Sequence, residues 1–210
     1  MTEIESSRQQ ERREASTRAL LHAAGDLAVE GGVKAMTFAA IGERADLSRS
    51  MVTARFGNKD GMIDALVTDL VGRWSHRTLG DDLNRLSGLQ AVLAFFDAIA
   101  AQAAKRSHGL RVLWALMAEA TTDPALAEHF RIFHRDMRRD MVRVLQRGQN
   151  DGSIRPDVDV DAVAGAIVAS FRGVGYQWLI DPDQFDPVPA LHFHRDALEH
   201  HLTTNKDAGQ

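Results

Sequence analysis

The sequence predicts an all-α protein built from two helical modules. Along its 210 residues, apolar side chains recur at spacings of three and four, which places them on one face of a helix. Capping residues, glycines and prolines interrupt this pattern where helices are expected to end. No segment shows the strict alternation of a half-buried strand. We place the boundary between the modules in the loop Gly80-Asp81-Asp82, which gives predicted domains of residues 1–79 and 80–210.

The first module contains four predicted helices after a polar N-terminal segment. Residues 1–14 are charged, lack an apolar stripe and are predicted to be disordered. Gly31 and Gly32 mark the end of the first helix. The predicted helices cover residues 15–30, two short stretches within residues 37–56, and residues 60–77.

The second module contains five predicted helices. Pro124 suits the first turn of a helix, and the pair Asp151-Gly152 ends one. Between Ala162 and Leu179, Arg172 is the only charged residue, so this helix must be covered on nearly all sides. The predicted helices cover residues 89–105, 109–120, 124–150, 157–180 and 188–202.

Composition limits the classes of function. The chain is 44% hydrophobic and 26% charged, contains no cysteine and has a formal net charge of −4. It shows neither a signal peptide nor an apolar run of about 18 residues, so we expect a cytoplasmic protein without a membrane span. The first 60 residues carry equal numbers of acidic and basic side chains. Binding to nucleic acid therefore has to come from a local surface, since overall charge gives little attraction.

Such a surface is predicted on the second of the two short helices. Val52 and Phe56 continue the apolar face that Ile41 and Ala45 begin on the first helix, and Ser48 is placed to cap the second. No acidic residue occurs between Leu47 and Lys59. A short helix that is apolar on one side and cationic on the other suits the major groove of DNA. Its outward-facing residues are Arg49, Ser50, Met51, Thr53 and Arg55.

This segment resembles the helix-turn-helix of the TetR family of bacterial transcriptional regulators. The matching features are Thr37 at the start of the first short helix, the pair Ile41 and Ala45, the dipeptide Leu47-Ser48, the aromatic Phe56, and the run from Gly57 to Met62. Four positions depart from the family pattern. Gly42 replaces alanine inside a helix, Asp46 and Ser50 replace glycines, and Thr53 stands where a phosphate-binding tyrosine is usual, with a shorter reach.

The resemblance implies a ligand-responsive repressor that binds a near-palindromic double-stranded DNA operator as a homodimer, with no cofactor. It assigns DNA contacts to Thr37, Ser48, Arg49, Ser50, Met51, Thr53, Arg55 and Lys59. For the polar N-terminus, two interpretations stay open. It is either a bland tail or an arm whose Arg12, Arg13 and Arg18 reach the minor groove.

The second module is expected to hold the effector pocket and the dimer interface. Small residues on the apolar helix permit close approach of a second copy, although a central core helix of a monomer has the same pattern. The residues expected to face the partner are Ala166, Ala169, Gly173, Leu191 and Leu198. The residues expected to line the pocket, if they are not simply core, are Phe95, Trp114, Met117, Phe133, Phe171 and Arg172, with Trp74 and Phe130 as further candidates. Arg172 otherwise reaches solvent or pairs with an acid such as Glu119 or Asp136.

Other classes of function have less support in the sequence. No nucleophile elbow or phosphate loop is present, and Glu119 with Asp123 is the best carboxylate pair for acid–base work, so we expect no enzyme. The histidine pairs 129/134 and 192/194 have spacings unsuited to one metal ion, and His200 and His201 lie near the frayed end of the last helix, so no metal is expected. An architectural DNA-binding protein without an effector, and a helical enzyme or carrier with a vestigial hairpin, remain as alternatives.

Overall fold

The computed structural model describes residues 3–78 and 85–203, with side chains for residues 7–72 and 85–203. The described part of the chain is helical and contains no strand, as predicted. Its helices are α1 (Glu3–Ala35), α2 (Phe38–Arg44), α3 (Arg49–Phe56), α4 (Lys59–Thr78), α5 (Gly88–Ala104), α6 (His108–Glu119), α7 (Pro124–Asp151), α8 (Val160–Ile180) and α9 (Pro187–Thr203). The side chain of Trp74 and the predicted boundary loop at Gly80 lie outside the described residues.

Helix α1 corrects the prediction of a disordered N-terminus. It begins at Glu3, so most of the segment expected to be disordered is helical. Gln10 and Glu14 form a hydrogen bond of 3.3 Å at helical spacing, and the guanidinium of Arg55 on α3 donates to the backbone oxygen of Arg13. The predicted stop is confirmed, because regular helix geometry breaks at Gly31 and Gly32, the latter with φ 69° and ψ −175°.

Side-chain caps define the helices of the second module. Ser87 and Gln90 form a reciprocal capping box at the start of α5. Asp123 accepts from two backbone N–H groups at the start of α7. Asp159 does the same for α8, which therefore begins three residues later than predicted. Gly152 ends α7 in the left-handed conformation, with φ 76°.

The two modules share one hydrophobic core, which extends from Leu20 on α1 to Leu202 on α9. Helix α6 lies at the centre of this arrangement. It packs against α1 and α4 of the first module and against α7 and α8 of the second. A displacement of α6 would therefore change contacts in both modules. Among the described residues, no helix is both long enough and apolar enough to cross a lipid bilayer.

Candidate DNA-binding surface and effector cavity

The hairpin of α2 and α3 is closed by local hydrogen bonds that the sequence predicts. Thr37 accepts from the N–H of Ala40 at 3.2 Å, and Ser48 accepts from the N–H of Met51 at 3.2 Å. Asp46 occupies the left-handed region with φ 54°, which is the conformation that the usual glycine would adopt. These bonds fix the angle at which α3 leaves the turn.

Gly42 has a role that the sequence reasoning missed. A Cβ atom at this position would lie 2.7 Å from the backbone oxygen of Leu47. That distance is shorter than any normal contact, so the turn passes against α2 only because residue 42 lacks a side chain. The departure from alanine lowers helix propensity but permits this close approach.

The outer face of α3 is open to solvent and free of acidic side chains. Arg49, Ser50 and Thr53 are exposed, and Met51 is 41% exposed. Val52, on the opposite face, is fully buried. Thr53 donates to the backbone oxygen of Arg49 at 3.1 Å, which keeps its hydroxyl close to the helix. The surface thus presents one cation and several small polar groups at the start of a helix.

Arg55 does not belong to this surface, contrary to the prediction. Its guanidinium donates to the backbone oxygen of Arg13 at 3.0 Å and to the hydroxyls of Ser16 and Thr17 on α1. The physical reason is its spacing of three from Val52, which turns it towards the core side of α3. Arg55 therefore attaches α3 to α1.

Lys59 is exposed at the first position of α4. The junction before it is tight, because the Asn58 side chain accepts from the N–H of Gly61 at 2.9 Å. A Cβ atom on Gly61 would lie 2.3 Å from the backbone oxygen of Phe56. The glycine therefore allows α3 and α4 to meet at this angle, and it holds Lys59 close to the end of α3.

Helix α6 is attached to α1 at both of its ends. At its start, His108 Nε2 lies 2.7 Å from Asp26 Oδ1, and the rings of His108 and His22 stack with centroids 4.0 Å apart. At its end, the carboxylate of Glu119 accepts from the backbone N–H of Val33 at 2.8 and 3.0 Å. Burial, with the neighbouring His22, lowers the pKa of His108 from its ordinary value. Neither attachment was predicted, because the partners are more than 80 residues apart in sequence.

The carboxylates of Glu119 and Asp123, the best pair in the sequence for acid–base chemistry, have structural roles. Glu119 binds the chain at the break in α1, and Asp123 caps α7. Their oxygens accept from backbone N–H groups, so the pair is not arranged for proton transfer to a substrate.

A cavity of about 290 Å³ lies where α1, α4, α5 and α6 meet. Its wall is mainly apolar with a smaller number of polar groups, which is the usual character of a small-molecule site. Arg18, one of the three arginines of the possible N-terminal arm, lines this cavity. The lining residues are Arg18, Leu21, His22, Leu66, Asp69, Leu70, Ile99, Gln102, Ser107, His108, Gly109, Leu110, Val112 and Leu113.

None of the six residues expected to line a pocket borders this cavity. Phe95, Trp114 and Phe171 pack on one another inside the second module, with centroid distances of 6.3 Å (Phe95 to Phe171) and 5.5 Å (Trp114 to Phe171). Met117 is buried, and Phe133 lines a separate groove between α4 and α7. The aromatic stripe is therefore core in this structure, as such stripes usually are.

Arg172 is half-buried and has neither of the acidic partners that we considered. The carboxylate of Asp136 pairs with Arg139 at 2.9 Å, and Glu119 binds Val33. Within the described residues, Arg172 Nε is buried without a hydrogen-bond partner. Burial, with the nearby Arg138, lowers the pKa of Arg172, and burial followed by these two arginines lowers the pKa of His134 to about 4.

The residues expected at a dimer interface separate into two groups. Ala166, Ala169 and Gly173 are exposed on α8, and Leu198 on α9 is partly exposed. Leu191 is fully buried within the chain's own core, which corrects its assignment to a surface. Exposed Tyr176 and Ile180 extend the stripe of small residues along α8.

Comparison with known proteins identifies the family. Residues 20–66 match the family model "Bacterial regulatory proteins, tetR family", and residues 89–203 match the model "BetI-type transcriptional repressor, C-terminal". The chain belongs to the TetR family. It is a ligand-responsive DNA-binding transcriptional regulator of that family.

Individual TetR-family proteins are similar over most of their length. The HTH-type transcriptional repressor KstR2 of Mycolicibacterium smegmatis is 29% identical over 150 residues, which cover 69% of this chain and 70% of the relative. The regulator FadR from Bacillus subtilis, solved with stearoyl-CoA, has a TM-score of 0.74 at 15% identity, covering 87% of this chain and 97% of FadR. A regulator from Saccharomonospora viridis, solved with choline, has a TM-score of 0.73 at 18% identity, covering 92% and 100%. At these identities the two structures show that the fold is shared, and their ligands are properties of those two proteins.

Proposed function

We propose that the protein is a repressor that binds a near-palindromic operator as a homodimer and leaves it when a small-molecule effector binds. The observation that carries this proposal is the exposed, acid-free face of α3, which starts at Arg49. Ser48 caps this helix, and its Arg55 donates hydrogen bonds to α1. The relative KstR2 is named a repressor, which supports repression over activation.

On the operator, α3 enters the major groove with its N-terminal end towards the bases. The fork of the Arg49 guanidinium suits the two acceptors of guanine. Thr37 and Lys59, both at helix starts, contact phosphates together with nearby backbone N–H groups. The contact surface is completed by Ser48, Ser50, Met51 and Thr53. Arg55 remains hydrogen-bonded to α1 and does not contact DNA.

The dimer forms through the outer faces of α8 and α9. Ala166, Ala169 and Gly173 allow two copies of α8 to approach closely, and exposed Tyr176 and Ile180 add apolar area at one end. A two-fold axis at this face turns one surface patch onto itself. It also presents two α3 helices to successive turns of the major groove, which explains why the operator should be nearly palindromic.

The effector occupies the cavity between α1, α4, α5 and α6. The cavity touches two helices of the DNA-binding module directly, so a ligand there changes the position of α3 relative to the dimer axis. Its volume lies near the lower end of the range for small-molecule sites. The similar regulators solved with stearoyl-CoA and with choline support a small-molecule effector without naming this one. The effector acts only through its different affinities for the DNA-bound and released states.

Nuclease protection of the DNA that flanks the protein's own gene separates this proposal from its alternatives. A discrete footprint that disappears at high effector concentration supports a regulated repressor. Diffuse coverage supports an architectural protein, and no protection supports an enzyme or carrier.

Arg49→Ala sharpens the same experiment. It should cost about 1–3 kcal/mol of operator binding and relax preference at one base pair in each half-site. Arg55→Ala is the contrasting variant, because it should lower stability through the lost contacts with α1 without changing base preference. Equal losses on operator and random DNA for Arg49→Ala would reduce Arg49 to a phosphate contact.

The dimer is tested by Ala169→Arg, which places bulk and charge in the close contact of two α8 helices. The variant should be monomeric by light scattering and should not bind operator. Asp161→Arg, at an exposed residue in the first turn of α8, is the matched control and should leave the dimer intact. A wild-type protein that is monomeric at micromolar concentration would contradict the assignment.

A further inference from the structure

His22, Asp26 and His108 form a compact group at the junction of α1 and α6. His22 Nδ1 lies 3.2 Å from Asp26 Oδ2, and His108 Nε2 lies 2.7 Å from Asp26 Oδ1. One ligand atom from each of the three residues lies within 4.8 Å of the others. Two imidazole nitrogens and a carboxylate oxygen therefore converge on one small volume from two different helices.

This set of donors is the kind that late first-row divalent ions bind. Zinc sites use imidazole nitrogens at about 2.0–2.1 Å and carboxylate oxygens at about 2.0–2.2 Å, so donors in a tetrahedral site are about 3.3 Å apart. The separations of 3.2 and 2.7 Å are close to that value, and they end on the two different oxygens of the Asp26 carboxylate. The rings of His22 and His108 stack almost in parallel, so at least one ring has to turn out of the stack before both nitrogens can point at one ion.

The surroundings leave room for an ion and a fourth ligand. The side chain of His22 is 62% exposed, and those of Asp26 and His108 are 29% and 35% exposed. An ion can therefore reach the group from solvent. Both histidines also line the cavity between α1, α4, α5 and α6. A fourth coordination position would be open to water or to a donor atom of a molecule in that cavity.

We propose that His22, Asp26 and His108 bind one Zn²⁺, or a similar late first-row divalent ion, and that the ion clamps α1 to α6. His22 and Asp26 come from the DNA-binding module, whereas His108 begins α6 of the regulatory module. The bound ion replaces hydrogen bonds with coordination bonds across this junction. The proposal is independent of the proposed repressor function, because metal binding is measured on the protein alone.

Titration of the chelator-treated full chain tests the site. Co²⁺ gives the stoichiometry and coordination from its visible absorption, and Zn²⁺ in competition with a chromophoric chelator gives the affinity. We expect one ion per chain. His108→Gln and Asp26→Asn should each weaken Zn²⁺ binding at least about 100-fold, since even partners outside the coordination sphere change affinity 10- to 100-fold.

Matched variants test whether other histidines bind the ion. His192→Gln makes the same chemical change at an exposed residue of α9, and the double variant His200→Gln and His201→Gln removes the adjacent pair near the end of α9. Both should bind Zn²⁺ like the wild type. Circular dichroism and melting in the presence of EDTA establish that each variant is folded, and Zn²⁺ should raise Tm in all proteins except His108→Gln and Asp26→Asn.

Two results would overturn the proposal. One is wild-type Zn²⁺ affinity that equals that of His108→Gln and Asp26→Asn, which includes the case of no measurable binding. The other is loss of the bound ion in the His200 and His201 double variant, which would place the metal at the end of α9. In either case the three residues would serve only as a hydrogen-bonded contact between α1 and α6.

Discussion

The junction of α6 with α1 and the inner side of α8 differ in whether their polar groups have hydrogen-bond partners. At the junction, Glu119 and Asp26 each meet a donor from the other helix at 3.0 Å or less. On α8 and its neighbours, Arg172 Nε, His134 Nε2 and Trp114 Nε1 are buried without a partner among the described residues. The paired groups of the junction can pass a displacement from one helix to the other. The unpaired groups instead favour the binding of a molecule that supplies hydrogen-bond partners.

The packing around Trp114 gives the largest expected effect. A Cβ atom on Gly175 would lie 2.3 Å from the indole ring of Trp114, which is also enclosed by Phe171 and Trp178. Gly175→Ala should therefore lower the free energy of unfolding by about 3 kcal/mol, measured by urea denaturation. Gly165→Ala, on the same helix with no atom within 4 Å, should raise it by about 0.5–1 kcal/mol. Equal effects would show that the α6–α8 contact is loosely packed.

The partnered junction is tested at Glu119. Glu119→Ala removes the carboxylate that accepts from the backbone N–H of buried Val33, and it should cost about 2 kcal/mol of stability. Glu119→Gln keeps one acceptor oxygen and should cost less than about 1 kcal/mol. Urea denaturation of both variants measures the difference. If alanine is tolerated as well as glutamine, the contact does not hold α6 to α1.

The group of unpaired polar side chains near α8 is tested by the pH dependence of stability that His134 contributes. The pKa of His134 is lowered to about 4 in the fold, first by burial and then by Arg172 and Arg138. The unfolded chain takes up this proton near pH 6.5, so stability from the neutral ring is lost as pH falls from 6.5 towards 4. Between pH 7 and pH 5 the loss should be about 1 kcal/mol, after allowance for the solvated half of the ring. His134→Gln should lack this component, and an identical pH dependence in the variant would contradict it.

Arg172→Met gives the smallest expected change in stability. Replacing a half-buried cation that has no acidic partner in the described part of the chain should be neutral or stabilising by up to about 1 kcal/mol. It should also raise the pKa of His134 towards its ordinary value, which nuclear magnetic resonance titration measures. Because Arg172 does not border the cavity between α1, α4, α5 and α6, the variant should bind operator and respond to the effector like the wild type. A stability loss above about 1 kcal/mol would mean that Arg172 has a partner in the folded chain.

The hairpin could be predicted from sequence because its determinants are local. Thr37 and Ser48 cap helices within three residues of themselves, and Asp46 adopts the conformation that its residue type tolerates. Arg55 was assigned wrongly because its partners lie on α1, about 40 residues away. Gly42 was seen as a cost because the backbone that it admits is visible only in the folded turn.

The regulatory half shows the same limit over longer distances. Helix bounds were predicted closely from caps and periodicity, but the cavity and both attachments of α6 depend on which helices become neighbours. Periodicity shows that Phe95, Trp114 and Phe171 face inward. It does not show whether they surround a cavity or fill one another's space, and in this structure they pack together.

Selection of binding sites from random double-stranded DNA tests the central claim most directly, because it requires neither the effector nor the natural operator. We expect enrichment of two inverted half-sites whose centres lie about one helical turn, or a multiple of it, apart. Arg49→Ala should lose the preference at one base pair in each half-site. Absence of any enriched sequence, or enrichment of a single half-site without its inverted copy, would contradict a dimeric, sequence-specific regulator.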